Sequence, residues 1–178
     1  MAKGLRPAKC YRWDSPAYTR TSDNPGDSFI TGIPTPKLNT YDMGNSKGDF
    51  NVKLSIIPKG RIIIRHNSLD AARISAQRIL EKVIGVSNYY FKINVFPHHV
   101  IRENVMATGA GADRVQDGMR KSFGKPMGRA ARIYPGQPIM TVYVNKDDQM
   151  IMSARKALRG AMHKLPANMR IEVSDIKK

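Results

Sequence analysis

Val52-Lys53-Leu54-Ser55-Ile56-Ile57-Pro58-Lys59-Gly60-Arg61-Ile62-Ile63-Ile64-Arg65 is the stretch whose reading decides the fold. Val52, Leu54 and Ile56 alternate with Lys53 and Ser55. Successive strand side chains point to opposite faces, so this alternation predicts a half-buried strand. Pro58-Lys59-Gly60 turns the chain, and residues 61–65 read as a second strand. Downstream the period changes from two to about 3.6. Asn67 or Ser68 can cap a helix, with Asp70 in its first turn. Leu69, Ala72, Ala76, Ile79, Leu80 and Val83 then fall on one helical face, and Gly85 is a C-terminal stop.

The same signals recur toward the C-terminus. Phe91, Ile93 and Val95 alternate with Lys92 and Asn94, predicting a strand that ends at Pro97. Strands are expected near residues 129–134 and 139–144, and Pro135-Gly136 between them stands in the order of a type II turn. Asp147-Asp148 open a second long helix whose buried face is Met150, Ile151, Ala154, Ala157, Leu158 and Ala161. Pro166 lies past its end, and residues 170–174 give a last strand. The order ββα, β, a glycine-rich excursion, ββα, β predicts an α+β fold in two layers, with a largely antiparallel sheet and two long helices. Residues 1–50 read instead as an extended basic arm that packs on the core and on a partner, and residues 51–178 as one α+β domain. The arm is rich in turn residues and carries Lys3, Arg6, Lys9, Arg12 and Arg20 at its opening against one acid, Asp14.

Charge narrows the function. The 178 residues hold 30 Lys and Arg against 14 Asp and Glu, a formal net charge of +16 and a pI near 10.2. A domain this basic repels itself unless a polyanion neutralises it, and the polyanion is nucleic acid or an anionic membrane surface. Apolar runs such as Ile62-Ile63-Ile64 fall far below the ~20 residues of a membrane span. The basic N-terminus has no apolar signal-peptide stretch. Cys10 is the single cysteine, so there is no internal disulfide and no cysteine-rich zinc site. A cytoplasmic location, no membrane partner, no metal and no cofactor are expected.

Between Gly118 and Ile171 the only acids are Asp147 and Asp148, at a helix start where a negative charge has a local reason. The same span carries Arg120, Lys121, Lys125, Arg129, Arg132, Arg155, Lys156 and Arg159. An isolated basic helix face is commonly just solvated. A solvated face usually mixes signs, however, and the near absence of acids here favours a surface that meets a polyanion.

The excursion over residues 102–128 holds five glycines interleaved with Arg102, Arg114, Arg120, Lys121 and Lys125. Small side chains let the backbone approach a surface closely, as in a crowded RNA groove. Enzyme motifs fail here. Gly109-x-Gly111 is followed by Arg114 where a dinucleotide fingerprint needs a small residue, and Pro126 stands where a P-loop needs Ser or Thr. Adjacent His98 and His99 lack the spacing of two ligands on one helical face. Trp13 either stacks on a base or anchors the arm.

These residues carry a family signature. Arg6-Pro7-Ala8-x-Cys10-Tyr11-Arg12, Pro97-x-His99-Val100-Ile101-Arg102-x-Asn104-x-Met106 and Ala110-Gly111-Ala112-Asp113-Arg114-x-Gln116-x-Gly118-Met119-Arg120-x-x-Phe123-Gly124-Lys125-Pro126-x-Gly128 resemble the archaeal and eukaryotic large-subunit ribosomal protein L-ten-e, relative of bacterial L-sixteen. Gly136-Gln137-x-Ile139-Met140 follows in place, so the resemblance covers nearly the whole chain. It implies an α/β-hammerhead type of α+β fold and a structural, non-catalytic role in translation. It also implies a seat on large-subunit rRNA near the tRNA cleft and the peptidyl transferase centre. The short end after the last strand resembles archaeal members.

On this basis Lys3, Arg6, Lys9, Arg12, Arg102, Arg114, Arg120, Lys121, Lys125, Arg129, Arg132, Arg155, Lys156 and Arg159 are expected to contact RNA. A mobile loop over residues 103–114 would face tRNA in the A and P sites through Glu103, Asn104, Thr108, Gly109, Gly111 and Asp113. The expected partners are rRNA, tRNA, neighbouring ribosomal proteins and ribosome-assembly factors, without homo-oligomerisation. A free RNA-binding assembly factor is the alternative.

Overall fold

The computed structural model describes residues 5–19, 24, 29–104, 106–107, 109–166 and 168–176; for Asp113 and Val115 it describes the backbone alone. The strands are β1 (Asp42–Gly44), β2 (Val52–Pro58), β3 (Ile62–Arg65), β4 (Tyr89–Ile93), β5 (His99–Glu103), β6 (Lys125–Ile133), β7 (Met140–Val144) and β8 (Met169–Asp175). The helices are α1 (His66–Val83), a single turn α2 (Ala112–Val115) and α3 (Asp148–Met162). The fold is α+β, as the element order predicts. The strands form two sheets, one of five strands in the order β1-β4-β7-β2-β8 and one of three in the order β3-β6-β5, with every pairing antiparallel.

The turns at Pro58-Lys59-Gly60 and Pro135-Gly136 are corners at which the chain leaves one sheet for the other. The Gly136 N–H donates to the Pro58 carbonyl at 3.4 Å, joining the two corners. Gly136 has φ 81°, as the third residue of a type II turn requires.

In β2 the predicted face is buried, but the alternation fails beyond Lys53, because Ser55 and Ile57 on the opposite face are buried as well. Val52 and Leu54 stand opposite Val144 and Val142 of the adjacent β7, and with Ile56 they share the main core with Phe91 and Ile93 of β4. Onto this apolar layer α1 sets Leu69, Ala72, Ala76 and Leu80, and α3 sets Ala154, Ala157, Leu158 and Ala161. Burying each large side chain contributes about 1.5–3 kcal/mol before entropy is counted. The helices touch at Gly160, where an added Cβ would stand 3.3 Å from Ile79 Cδ1. Val83, predicted on the buried face of α1, is 59% exposed.

Helix starts differ in how far sequence reads them. Asp147 caps α3, accepting from the Gln149 N–H at 3.2 Å, with Asp148 in the first turn. In α1 the expected caps Asn67 and Ser68 lie inside the helix, which begins at His66 directly from β3 with Arg65 in the cap position. The Ile84 and Gly85 N–H groups close α1 on the Leu80 carbonyl.

The three-stranded sheet is covered on both faces. Ile62, Ile64, Ala131 and Ile133 belong to the main core, while Ile63, Ala130 and Ile101 form a second cluster beneath Leu5, Tyr11 and Trp13. This explains the unbroken run Ile62-Ile63-Ile64, since each face of β3 is buried. The excursion is shorter than expected. Its ends pair as β5 and the start of β6, with Glu103 opposite Lys125 and a bulge between Ile101 and Arg102. Residues 104–124 are therefore the loop of a long hairpin.

Candidate nucleic-acid interface

The arm is fastened to the three-stranded sheet by cations that donate to its backbone carbonyls. Arg132 on β6 donates through Nη1 to the carbonyls of Trp13 and Ser15, and through Nη2 to that of Arg12 at 3.3 Å. Arg65 Nη1 donates to the carbonyls of Leu5 at 2.9 Å and Arg6 at 3.2 Å. Glu103, at the end of β5, pairs with Arg6 at 3.0 Å and accepts the Tyr11 hydroxyl at 2.6 Å. Burial first, and then the bond and charge of Glu103, push the Tyr11 phenol well above its ordinary value, so it stays a donor. Trp13 meets Tyr134 edge-on at 5.3 Å, with the Arg132 guanidinium 5.6 Å from the Trp13 ring centroid. Trp13 thus anchors the arm.

Further along, the arm runs beside β5. The Val100 N–H donates to the Tyr18 carbonyl at 2.8 Å, and the Tyr18 N–H donates to His99 Nδ1 at 2.9 Å. His99 is buried, and its pKa is pushed down to about 4, chiefly by that burial and then by the charge of Arg132. It is neutral at pH 7, with its proton on Nε2 because Nδ1 accepts. Arg102 lies over two rings, its guanidinium carbon 3.6 Å from the Phe123 centroid and 4.8 Å from that of Tyr18. These groups line a cleft of about 780 Å³ between arm and sheet.

The hairpin loop closes at Gly124, which has φ 80° and passes so near β5 that a Cβ there would lie 2.7 Å from the Glu103 carbonyl carbon. No other residue fits that approach. Within the loop, Gln116 accepts from the Ala107 N–H and donates to Met106 Sδ at 3.5 Å. Added Cβ atoms at Gly109 and Gly111 would meet nothing within 4 Å, so the backbone there is open to a partner. Arg114, Arg120, Lys121 and Lys125 are exposed around the loop, and Lys121 pairs with Asp117 at 2.7 Å.

A separate exposed cluster lies on α3. Arg155, Lys156 and Arg159 line a shallow depression with Met152 and Ser153, and none has an ion pair among the described residues.

The expected RNA contacts thus occupy different settings. Lys9, Arg12, Arg114, Arg120, Lys121, Lys125, Arg155, Lys156 and Arg159 are exposed. Arg6 is exposed but paired, Arg132 holds the arm, and Arg102 and Arg129 are half-buried. Of the expected tRNA-facing residues, Glu103 serves the arm, Asn104 starts the loop, and Gly109 and Gly111 sit exposed within it. Lys3, Arg20 and Thr108 lie outside the described residues, as does the Asp113 side chain. Sequence reasoning missed the roles of Tyr18, His99 and Phe123 in the cleft. Only the family signature marks His99 and Phe123, because a ring stacked on an arginine has no periodicity to reveal it.

With this geometry in place, comparison with known proteins is informative. Residues 14–172 match the family described as ribosomal protein L16p/L10e. A protein of Staphylothermus marinus is 46% identical over 174 residues, covering 97% of this chain and 95% of its own. Relatives in Hyperthermus butylicus (43%, covering 97% of this chain and 94% of their own) and Archaeoglobus fulgidus (44%, 94% and 92%) are similar along comparable lengths. All three are named large ribosomal subunit protein uL16.

Proposed function

The chain belongs to the ribosomal protein L16p/L10e family, and from that premise we propose that it is a structural constituent of the large ribosomal subunit, held by rRNA in the cytoplasmic ribosome. The family points to a structural rather than an enzymatic role. The observation that carries the reading is the set of exposed cations on α3 (Arg155, Lys156 and Arg159), without ion pairs among the described residues and joined by Arg120 and Lys125 beside the loop.

In this reading the exposed cations neutralise rRNA phosphates and fix the protein's position without reading sequence. Arg132 and Arg65 spend their charge on the arm, giving the RNA a shaped surface instead of a loose basic tail. Within the hairpin loop, the segment up to residue 114 reaches toward tRNA in the A and P sites. The open backbone at Gly109 and Gly111 supports that role. Ribosome-assembly factors would meet the same loop before tRNA does.

The test replaces Arg120 and Lys125 together by Ala. Incorporation into large subunits should fall, and the slope of log affinity against log salt for rRNA should drop by about two, roughly one for each phosphate no longer neutralised. Unchanged incorporation with an unchanged slope would remove these residues from the interface. Wild-type chain that leaves mature subunits at high salt would instead identify a transient assembly factor.

A further inference from the structure

The cleft between the arm and β5 gathers hydrogen-bond donors that have nothing to donate to. Arg102 Nη1 and Arg132 Nε are buried and have no hydrogen-bond partner among the described residues. The neutral His99 carries its proton on Nε2, and that N–H stands 3.5 Å from Arg132 Nη2, itself a donor. Two N–H groups side by side mark a place for an acceptor, since a buried donor left unpaired costs about 1–3 kcal/mol. Arg12 also lines the cleft, and no carboxylate does among the described residues. The Phe123 and Tyr18 rings flank the Arg102 guanidinium and favour its place in the cleft.

We propose that this cleft is the seat of one phosphodiester group of RNA, received by Arg102, His99 and Arg132 beneath the arm. The proposal rests on the rRNA-binding reading and adds an enclosed contact to the exposed ones. A phosphate brings the acceptor oxygens that the convergent donors lack. Because Arg12, Tyr18 and Cys10 come from the arm and His99, Arg102 and Arg132 from the sheet, an occupied cleft also locks the two together.

The experiment uses the full chain with a large-subunit rRNA fragment and ethylation interference at the RNA phosphates. Arg102→Met keeps a long apolar stem between Tyr18 and Phe123 but removes the cation. In the wild type, ethylation of one particular phosphate should block binding. Arg102→Met should be indifferent to that modification while keeping the other interference positions, with affinity about tenfold lower and a salt slope reduced by about one. An interference pattern identical to the wild type's overturns the proposal.

A second measurement needs no variant. Cys10 is exposed and lines the cleft, so its alkylation by iodoacetamide should slow when the rRNA fragment binds. An unchanged alkylation rate in a bound complex overturns the proposal. Protection by inorganic phosphate alone, without protection by rRNA, overturns RNA as the source of the phosphate. Failure of the chain to bind rRNA at all overturns the underlying reading instead, and the two failures are distinguishable.

Discussion

On the five-stranded sheet, Leu54, Ile56, Phe91 and Val142 pack beneath Leu80 and Leu158, all fully buried. On the arm side of the three-stranded sheet, the buried cluster is Ile63, Ile101 and Ala130, half covered by Leu5, Tyr11 and Trp13. The first region is held by apolar area, which is nondirectional and needs no partner. The second is held by guanidinium groups donating to named carbonyls and by one carboxylate, Glu103, that accepts from Arg6 and Tyr11. The helical layer thus rests on burial, whereas the seat of the arm rests on directional bonds to its backbone.

The largest expected effect breaks the first region. Leu54→Ala leaves a cavity in the main core and should destabilise the whole chain by up to about 5 kcal/mol, read as a lowered urea midpoint with an unchanged m-value. Next, Arg132→Ala removes the donor to three arm carbonyls. It should weaken the arm's attachment by about 3 kcal/mol, at roughly 1 kcal/mol per net hydrogen bond. The signature is fast proteolysis near Arg12 and loss of amide protection at Val100, while the amides of α1 and α3 stay protected. Equal loss of protection in both regions would show that they do not behave separately.

A third test uses pH. His99 titrates near 4 in the folded protein and near 6.5 when unfolded. Between those values the unfolded chain binds the extra proton, so stability is full above about pH 6.5 and falls as the pH drops toward 4. The loss is on the order of 3 kcal/mol, seen as a declining Tm. His99→Asn, which keeps an acceptor for the Tyr18 N–H, should flatten that decline. The smallest effect belongs to Asp147→Ala, which removes the α3 cap and should cost about 1 kcal/mol in the urea midpoint without altering the arm.

The same comparison explains what was legible in the sequence. Main-core helices announce themselves because one buried face imposes a period of about 3.6 in α1 and α3, while β2 is legible from Val52, Leu54 and Ile56 alternating with polar residues although Ser55 is buried too. The turn at Pro135-Gly136 and the cap at Asp147 follow from local backbone chemistry. By contrast, β5 is hidden. His99, Val100 and Ile101 are all buried, so no alternation shows, and the partner strand lies across the whole loop. Three-residue β1 is too short to carry a pattern, although its Met43 reaches the main core. In the candidate interface, composition identified the exposed cations. It could not separate Arg132 and Arg65 from them, because what distinguishes these two is a set of backbone carbonyls, and carbonyls are the same at every residue. The stacking of Arg102 on Phe123 and Tyr18 was invisible for a related reason, since the arm and the hairpin meet only in three dimensions.

The seal at Gly124 holds the two ends of the loop together. Gly124 presses on the Glu103 backbone where β5 ends and β6 begins, so both feet of the loop stand on one abutment.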